Sequence, residues 1–539
     1  MYGNGGIGGT LSVTTKNASD LLSPGQNLGA KVKAGYFDGA KEWSKSAFIY
    51  GRHGIFDAVV GYSRKDGGVL STSRTGRRSS TPRDFQYESI VAKLTAQPSN
   101  DNQLSLGYNL DKTGQWSGPV SDRVDYGLKQ HRITGSWKYR SGDLIDIRSN
   151  VQYVKMENSF DGRSYNPNAY FSDDYESLSG NLQNTSIFQL WGTHVLTYGL
   201  DLSQNKQKAK DAYGRSDLSR PDSKGLDAGV FVQDEFEVND LFTVTPVLRF
   251  SYYDRKSNGA NKDKAGLRNQ SDSKLTPGIT FTLSPARNLS FYLSAQSGYR
   301  PPFLDELYTS MEYLGFNISS IVLPNPNLKP EESLNLELGA NGNFSDIFIA
   351  RDRLVLKADI FRDKVKNLIN AGFTGDREIT PDGGVIMYYT VKNIGMALKI
   401  GTELSADYYT GNFDFHTSYG YLRAKNKITG EVIPGVTPQQ ATFRAGYTHR
   451  PWNLNGWYRL RMYKGGKSSR EVGYNSGVYE NWGGFVTHAV GFEWKPKVKN
   501  IVDFSVGFAI DNLTNKKYRY LNGGYGYARS CSAWLSASF

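Results

Sequence analysis

Apolar and polar residues alternate along most of this chain, and this period-2 pattern limits its fold more than any other feature. Residues 104 to 110 read Leu-Ser-Leu-Gly-Tyr-Asn-Leu, and residues 289 to 295 read Leu-Ser-Phe-Tyr-Leu-Ser-Ala. The same alternation ends the chain, as Ala-Trp-Leu-Ser-Ala-Ser-Phe over residues 533 to 539. Successive side chains of a strand point to opposite faces, and no sustained helical period competes with this pattern. The sequence therefore predicts an all-β fold.

The composition is compatible with a membrane protein, although the chain is polar overall. Its 539 residues are only 38% hydrophobic, and the mean hydropathy is -0.52. No segment offers the run of about 20 apolar residues that a membrane-spanning helix requires. A membrane β-barrel hides its apolar residues from such a search, because lipid-facing and lumen-facing side chains alternate along each strand. The 13% aromatic content suits the aromatic girdles of such a barrel.

The connections between the strands distinguish a membrane barrel from a soluble sandwich or propeller. We predict roughly 22 strands from the alternation, and an even number is typical of bacterial barrels. One of these predicted strands covers residues 387 to 409. Short connections at 141 to 143 and 285 to 288 alternate with long ones, at 65 to 85, 255 to 273 and 299 to 332. This asymmetry predicts a 22-stranded antiparallel transmembrane β-barrel over residues 28 to 539, with short periplasmic turns, long outer loops and both ends periplasmic.

Four segments in a fixed order carry recognisable motifs. The glycine-rich run Tyr-Gly-Asn-Gly-Gly-Ile-Gly-Gly at 2 to 9 precedes Leu-Ser-Val-Thr-Thr-Lys at 11 to 16, and Asp-Asn-Leu-Thr-Asn-Lys-Lys-Tyr covers 511 to 518. Between them are two boxes, formed by Tyr299, Arg300, Pro301 and Pro302, and by Asn325, Pro326, Asn327 and Leu328. Together they resemble TonB-dependent outer-membrane receptors. The first box is similar to that family's FRAP box, with Tyr for Phe and Pro for Ala, and the second matches its NPNL box.

The resemblance implies a division of the chain and a set of partners. Residues 1 to 27 look like the C-terminal remnant of the family's plug domain with its connection, and residues 28 to 539 look like the barrel. Family members also carry a TonB box and a complete plug, so we expect these and a signal peptide to be encoded upstream or on another chain. The TonB-ExbB-ExbD complex would then act through that plug. Phe539 would be the signal that the barrel assembly machinery reads.

The favoured function is import of an iron chelate, most of all a siderophore, into a bacterial cell through its outer membrane. Haem or cobalamin receptors of the same family, and a passive pore or structural surface barrel, remain alternatives. A haem receptor would have to use Tyr308 or Tyr313 as the iron ligand, because no His lies between Arg300 and Asn327. No nucleophile elbow, phosphate loop or metal-binding His pair is present, so we expect neither an enzyme nor a resident metal or cofactor.

The candidate ligand-binding residues combine cations and aromatic rings in predicted outer loops. They are Arg74, Arg77, Arg78, Tyr308 and Tyr313. Guanidinium groups bind carboxylates and phosphates in a bidentate manner, so the arginines would suit an anionic chelate. The net charge of +12 comes from scattered basic residues without a nucleic-acid-binding motif. We therefore expect no nucleic-acid partner, and instead contacts with outer-membrane lipid and lipopolysaccharide.

Overall fold

Twenty-two antiparallel strands close into a single barrel in the computed structural model. The structure describes residues 14 to 539 apart from 69–70, 72–82, 118–123, 163–169, 212–221, 258–266, 314–317, 382, 434–438, 470–478, 497–501 and 521–524. The first half of the barrel comprises β1 (Leu28–Phe37), β2 (Glu42–His53), β3 (Phe56–Gly67), β4 (Arg83–Ser99), β5 (Asn102–Ser117), β6 (Val124–Ser141), β7 (Ile145–Asp161), β8 (Tyr170–Gln189), β9 (Thr193–Asp211), β10 (Ser223–Asn239), β11 (Phe242–Ser257), β12 (Gln270–Ala286) and β13 (Leu289–Arg300). The remaining strands of the chain are β14 (Met311–Tyr313), β15 (Ile318–Leu323), β16 (Glu331–Ser345), β17 (Arg353–Lys366), β18 (Ile369–Ile379), β19 (Val385–Asn393), β20 (Met396–Thr410), β21 (Phe413–Asn426), β22 (Gln439–His449), β23 (Leu454–Tyr463), β24 (Gly466–Ser469), β25 (Tyr479–Trp482), β26 (Phe485–Trp494), β27 (Asp503–Asp511) and β28 (Ser530–Ser538).

Each barrel strand pairs with its neighbour in the sequence order, except that the pairs β14–β15, β18–β19 and β24–β25 lie outside the barrel. The ring is closed by β28 and β1, with Lys31 opposite Ser538. Phe539 extends this pairing, since its N–H donates to the Ala30 carbonyl oxygen at 2.8 Å and its own carbonyl accepts from Ala30 N–H at 3.2 Å. The predicted 22-stranded antiparallel barrel is confirmed.

The alternation read from the sequence separates an outer apolar surface from the lumen. In the paired strands β2 and β3, Ile49 lies opposite Val60 and Tyr50 lies opposite Val59. Ile49 and Val60 are 63% and 55% exposed, whereas Tyr50 and Val59 are 3% and 5% exposed. Outward Leu, Ile, Val, Phe and Tyr side chains continue round the barrel, as on the lipid-facing band of a membrane barrel. Among the described residues, no helix has the length and hydropathy needed to cross a bilayer.

The two ends of the barrel differ in their connections. At the short-turn end, β6 and β7 are joined by residues 142–144, and β12 and β13 by residues 287–288. At the long-loop end, residues 301–330 join β13 to β16, and residues 367–395 join β17 to β20. The chain enters β1 and leaves β28 at the short-turn end. The predicted asymmetry is therefore present.

The long-loop end also carries a small sheet that the sequence pattern did not predict. It has the order β14-β15-β19-β18, and the pair β15–β19 is parallel. The predicted single strand over residues 387 to 409 is wrong, because it is divided between β19 of this sheet and β20 of the barrel. The break falls at Gly395, whose φ of +83° favours glycine. Alternation continues on both sides of that residue, so periodicity alone could not reveal the break.

Residues 14 to 27 lie on the lumenal wall at the short-turn end. A 3-10 turn at Ala18–Asp20 is fixed by the Asp57 carboxylate, which accepts the N–H groups of Ala18 and Ser19 at 2.6 and 2.7 Å. The Ala18 side chain packs with lumen-facing Tyr50 and Val59. Residues 1 to 13 lie outside the described part of the chain. The assignment of residues 1 to 27 to the end of a plug stays a prediction.

Candidate functional site

One arginine closes the base of the long loop between β13 and β16. Arg300 at the end of β13 lies opposite Glu331 at the start of β16. Its Nε and Nη2 donate to the two Glu331 carboxylate oxygens at 2.8 Å each, and its Nη1 and Nη2 donate to Glu306 at 3.0 and 3.1 Å. The side chains of Arg300 and Glu331 are only 12% and 6% exposed. A buried guanidinium with two bidentate partners fixes the direction in which the loop leaves the barrel.

The rest of the loop folds over a small apolar core. The short helix α1 (Leu304–Tyr308) follows the first box. The buried members of the core are Leu267, Leu304, Leu307, Tyr308 and Leu328, with Ile369 and Val391 packed against them. The second box is tied to this core through Asn325, whose N–H donates to the Leu307 carbonyl at 3.0 Å and whose Nδ2 donates to the Val391 carbonyl at 2.8 Å. We call this assembly, together with the Arg300 cluster, the loop node.

A second arginine joins the loop node to the barrel wall. Arg255 of β11 is 4% exposed, and its Nε donates to the Pro302 carbonyl at 3.0 Å. Its Nη2 donates to the Asp227 carboxylate at 2.7 Å, and its Nη1 to the Leu226 carbonyl at 3.0 Å. The FRAP-like box is therefore held through its backbone. Tyr299 contributes in the same way from β13, since its hydroxyl donates to Asp272 at 3.1 Å.

The structure distributes the predicted ligand-binding residues unevenly. Tyr308 is 2% exposed and donates its hydroxyl to the Arg268 carbonyl at 3.0 Å. Burial raises the pKa of Tyr308 to about 12, so its phenol stays protonated at neutral pH. The backbone of Tyr313 lies in β14, opposite Ser320. Arg74, Arg77 and Arg78 lie outside the described residues. A binding role for these five residues stays a prediction, and Tyr308 would have to leave the loop node to perform it.

A polar cavity lies beside the loop node, against the inner faces of β7 to β11. Its volume is about 650 Å³, within the range of ligand pockets. Hydrogen-bonding side chains dominate its lining, and Tyr175, Leu202, Phe303 and Leu304 provide apolar surface. The polar residues that line it are Asn150, Gln152, Ser177, Ser179, Asn181, Asp201, Ser203, Asn205, Gln207, Asp227, Arg255, Arg300 and Asp305.

A group of aromatic rings lies near the long-loop end of β23 and β26, and we call it the aromatic cluster. It consists of Tyr463, Phe485, Tyr518 and Tyr520. The ring centroids of Tyr463 and Phe485 are 4.6 Å apart, and those of Phe485 and Tyr518 are 4.4 Å apart. Tyr520 packs edge-on against all three other rings, at 5.5 to 6.0 Å. Burial raises the pKa of Tyr518, and its hydrogen bond to Tyr520 raises that pKa further.

Cations follow the aromatic cluster along the same face of β23. Arg461 and Arg459 precede Tyr463 at period-2 spacing, and Arg459 lies 5.4 Å from the Trp457 ring. Arg459 donates to the Asp511 carboxylate at 2.5 Å, whereas Arg461 is exposed. Sequence reasoning identified Asp511 to Tyr518 as a motif but did not connect it with β23. The Asn512 side chain supplies the link, because it bonds Lys516 and the Tyr527 carbonyl and so folds the loop back.

Three carboxylates lie together on the lumenal face of β16, β17 and β20. Asp359 lies directly opposite Glu403, and Glu337 accepts a hydrogen bond from the Tyr292 hydroxyl at 2.7 Å. Like charges in opposite positions destabilise a sheet. We call these residues the acidic cluster. No salt bridge links Glu337, Asp359 or Glu403 to a cation among the described residues.

The histidines provide no obvious metal site. His416 lies between Asp407 and Asp414, at 2.8 and 3.1 Å. His131 and His488 each contact a tyrosine hydroxyl, at 3.0 and 2.7 Å. Within the described part of the chain, no group of three or more His, Cys, Asp or Glu side chains could hold a metal ion.

Comparison with known proteins identifies the family. The profile described as "TonB dependent receptor-like, beta-barrel" matches residues 42–513. A "Hemin receptor" of Yersinia pestis is 25% identical over 463 residues, which cover 82% of this chain and 64% of that protein. A "Heme/hemopexin utilization protein C" of Haemophilus influenzae is 22% identical over 595 residues, covering 96% of this chain and 79% of that protein. The chain thus matches less than two thirds of the length of the Yersinia pestis relative.

Solved structures agree with this fold. The hemophore receptor HasR of Serratia marcescens, solved with its hemophore HasA and heme, has a TM-score of 0.76 at 20% identity, over 97% of this chain and 82% of that one. The ferric enterobactin receptor PfeA of Pseudomonas aeruginosa has a TM-score of 0.77 at 16% identity, over 100% of this chain and 83% of that one. In such barrels the short turns face the periplasm and the long loops face outward. The chain belongs to the TonB-dependent receptor family, as a β-barrel of the bacterial outer membrane.

Proposed function

We propose that this barrel is part of a receptor that imports iron in an organic form, and that haem is its ligand. The observation that carries the choice of ligand is the set of curated relatives. The Yersinia and Haemophilus proteins that match more than four fifths of this chain carry hemin, heme or hemopexin in their names. The predicted siderophore remains the second candidate.

The aromatic cluster offers the chemistry that a porphyrin needs. Its rings can stack on an apolar macrocycle, and Arg461 on the same strand can pair with a propionate carboxylate. Tyr520 is 38% exposed, and tyrosine is a known haem-iron ligand. Tyr518 has a raised pKa and therefore keeps the proton that it shares in a hydrogen bond with Tyr520. Such a neighbour orients a ligand oxygen, as outer-shell partners do at metal sites.

The acidic cluster supports a plug inside the lumen. Three carboxylates that face one another without a cation cost free energy in a barrel by itself. A basic segment between them would remove that cost. We propose that a plug domain supplies this segment, that the plug gates the lumen, and that the TonB-ExbB-ExbD complex moves it.

The polar cavity favours the siderophore as the second candidate. Hydroxyl, amide and carboxylate groups make up most of its lining, and such groups suit a hydrophilic chelate better than a porphyrin. The two candidates therefore place their ligands at different residues. Haem would contact Tyr520 and Arg461, and a hydrophilic chelate would contact the wall formed by β7 to β11.

Titration of the purified barrel with hemin tests the first candidate. We expect a saturable shift of the haem absorption band that Tyr520→Phe abolishes or moves, because the iron loses its oxygen ligand. Arg461→Gln should weaken binding by about tenfold while leaving the band position unchanged. Tyr409→Phe is the matched control, since Tyr409 is 40% exposed near the short-turn end. Identical spectra for wild type and Tyr520→Phe would contradict the proposed ligand.

Growth then separates the candidates. A receptor-null strain that carries the gene with its natural flanking sequence should grow on hemin as sole iron source. Tyr520→Phe should slow growth on hemin and leave growth on a ferric siderophore unchanged. Growth on a siderophore but not on hemin would reject haem and support the second candidate.

A further inference from the structure

Four cations form a compact patch on the outward surface of the barrel, near the long-loop end. Arg362 and Lys364 lie on β17, and Arg423 and Lys425 lie on β21, with β20 between them. Ile400 of β20 lies opposite both arginines, and Leu398 lies opposite both lysines. Ile400 is 39% exposed on the outer surface, so all four cations share the lipid-facing side of the strands. We call them the basic patch.

The height of the basic patch matches the outer edge of the apolar band. Arg423 lies on the same strand as Phe413, which starts β21 at the short-turn end. The ten-residue separation corresponds to about 25 Å of height in a strand tilted by about 40°. That is about the height of the lipid-facing band. The cations therefore lie at the level of lipid headgroups.

Apolar and aromatic residues lie directly below the basic patch. Ile360 of β17, Leu338 of β16 and Leu404 of β20 are 57%, 55% and 44% exposed. Tyr419 and Tyr421 of β21 continue the outward face beneath Arg423. The side chains thus change from cations at the top to tyrosines and then to aliphatic residues. The layers of a lipid leaflet change in the same order, from phosphates through the interface to acyl chains.

The basic patch differs from several other outward cations near the same rim. These pair with carboxylates: Arg64 with Asp66 and Glu88, Lys155 with Glu157, and Lys256 with Asp254. None of the salt bridges described for the chain involves Arg362, Lys364, Arg423 or Lys425. The positive charge of this sector is thus left for an external anion.

We propose that the basic patch binds the bisphosphorylated glycolipid anchor of lipopolysaccharide in the outer leaflet. Adjacent strands are about 4.8 Å apart, so the β17 and β21 cations are separated by about 10 Å. Two phosphates at opposite ends of a disaccharide can each meet one of these pairs. Arginine supplies a bidentate contact to phosphate and lysine a point charge. Several acyl chains of one molecule can then lie over the aliphatic side chains below. A phospholipid with a single phosphate would occupy only one side of the basic patch.

Native mass spectrometry of the purified barrel tests this site. The probe is hexa-acylated lipid A with two phosphates, titrated in detergent. The test variant replaces Arg362, Lys364, Arg423 and Lys425 with Gln, and we expect its affinity for the probe to fall by at least about tenfold. The control variant replaces Lys129, Lys155, Lys206 and Lys208 with Gln. It loses the same charge from β6 to β9, where the cations lie opposite Glu157, Glu176 and Asp174, and it should bind like wild type.

Further measurements separate this lipid from other anions. Monophosphoryl lipid A should bind more weakly than the bisphosphorylated form, and phosphatidylglycerol at equal concentration should not displace the probe. The heat-dependent gel migration of each variant shows whether its barrel is folded, and Arg423→Gln/Lys425→Gln replaces the fourfold variant if that one is not. Equal affinity of wild type and a folded patch variant, or full displacement by phosphatidylglycerol, would overturn the proposal.

Discussion

Replacing Arg300 should open the loop between β13 and β16 without unfolding the barrel. Arg300→Ala removes four hydrogen bonds to Glu306 and Glu331. It also leaves Glu331, which is 6% exposed, as a buried carboxylate without its cation. Breaking such a buried pair costs about 3–5 kcal/mol. The equilibrium for local opening should therefore rise by about two to four orders of magnitude.

Hydrogen exchange measured by mass spectrometry can follow this opening peptide by peptide. We expect faster exchange in residues 301–330 and in residues 367–370, because Ile369 N–H donates to the same Glu331 carboxylate at 2.7 Å. Arg300→Lys should give an intermediate effect, since an ammonium group cannot hold two carboxylates in a bidentate manner.

Arg353→Ala is the matched control for Arg300, because Arg353 makes one exposed contact, to Asn343, at the short-turn end. Its exchange should match that of wild type across residues 301–330. Unchanged exchange in that loop for a folded Arg300→Ala barrel would refute the view that Arg300 holds the loop node together.

Three other perturbations test the remaining contacts. The Asp352 carboxylate is buried, which opposes its charge, but hydrogen bonds from Phe348, Ile347, Ile349 and Tyr408 outweigh this and lower its pKa from 3.8 to about 2. The charged carboxylate should therefore stabilise its turn above pH 3.8, and this stabilisation should be lost as the pH falls through 2. Hydrogen exchange of the turn, followed by mass spectrometry, should depend on pH in this way in wild type but not in Asp352→Asn. Asp57→Asn should weaken the attachment of residues 14–27 to the barrel wall by about 1–3 kcal/mol, so hydrogen exchange in those residues should become faster. Equal exchange in the variant and in wild type would contradict the hydrogen bonds from Ala18 and Ser19 to Asp57. Deleting Phe539 removes two backbone bonds to Ala30 and the proposed assembly signal, so the folded fraction in outer membranes should fall on heat-modifiability gels; normal assembly would count against that role.

The barrel strands could be predicted from the sequence because each side chain meets one of two environments. Outward Leu, Ile and Val alternate with polar or small lumenal residues, so strand positions appear in the residue order itself. The failure at 387 to 409 has the same origin. β19 alternates as β20 does, but it pairs with β15 at the long-loop end instead of with a barrel strand.

The sequence identified the two boxes of the loop node, but it did not show which contacts they make. The FRAP-like and NPNL boxes were recognised as family signatures, and the structure gives their physical content. Arg300 is an ion-pair centre, and Asn325 bonds the backbone of both α1 and β19. Tyr308 was expected at a binding surface because it is an aromatic residue in an outer loop. Its burial depends on how α1 packs against Leu267 and Leu328. The order of residues in the sequence does not reveal these contacts.

Substitutions in the loop node and in the aromatic cluster should have different effects on ligand specificity. The box residues hold the loop together, Tyr299 and Arg300 through carboxylates and Asn325 through backbone carbonyls, so their substitution should impair any ligand that needs an ordered loop. The aromatic cluster is assembled from β23, β26 and the loop after β27, which no local pattern connects. If haem binds there as proposed, Tyr520 would distinguish iron in a porphyrin from iron already enclosed by a hydrophilic chelate, since only the porphyrin leaves an axial position open for a protein oxygen. A change at Tyr520 should therefore affect haem alone, whereas a change at Arg300, which holds the loop and also lines the polar cavity, should impair both ligands.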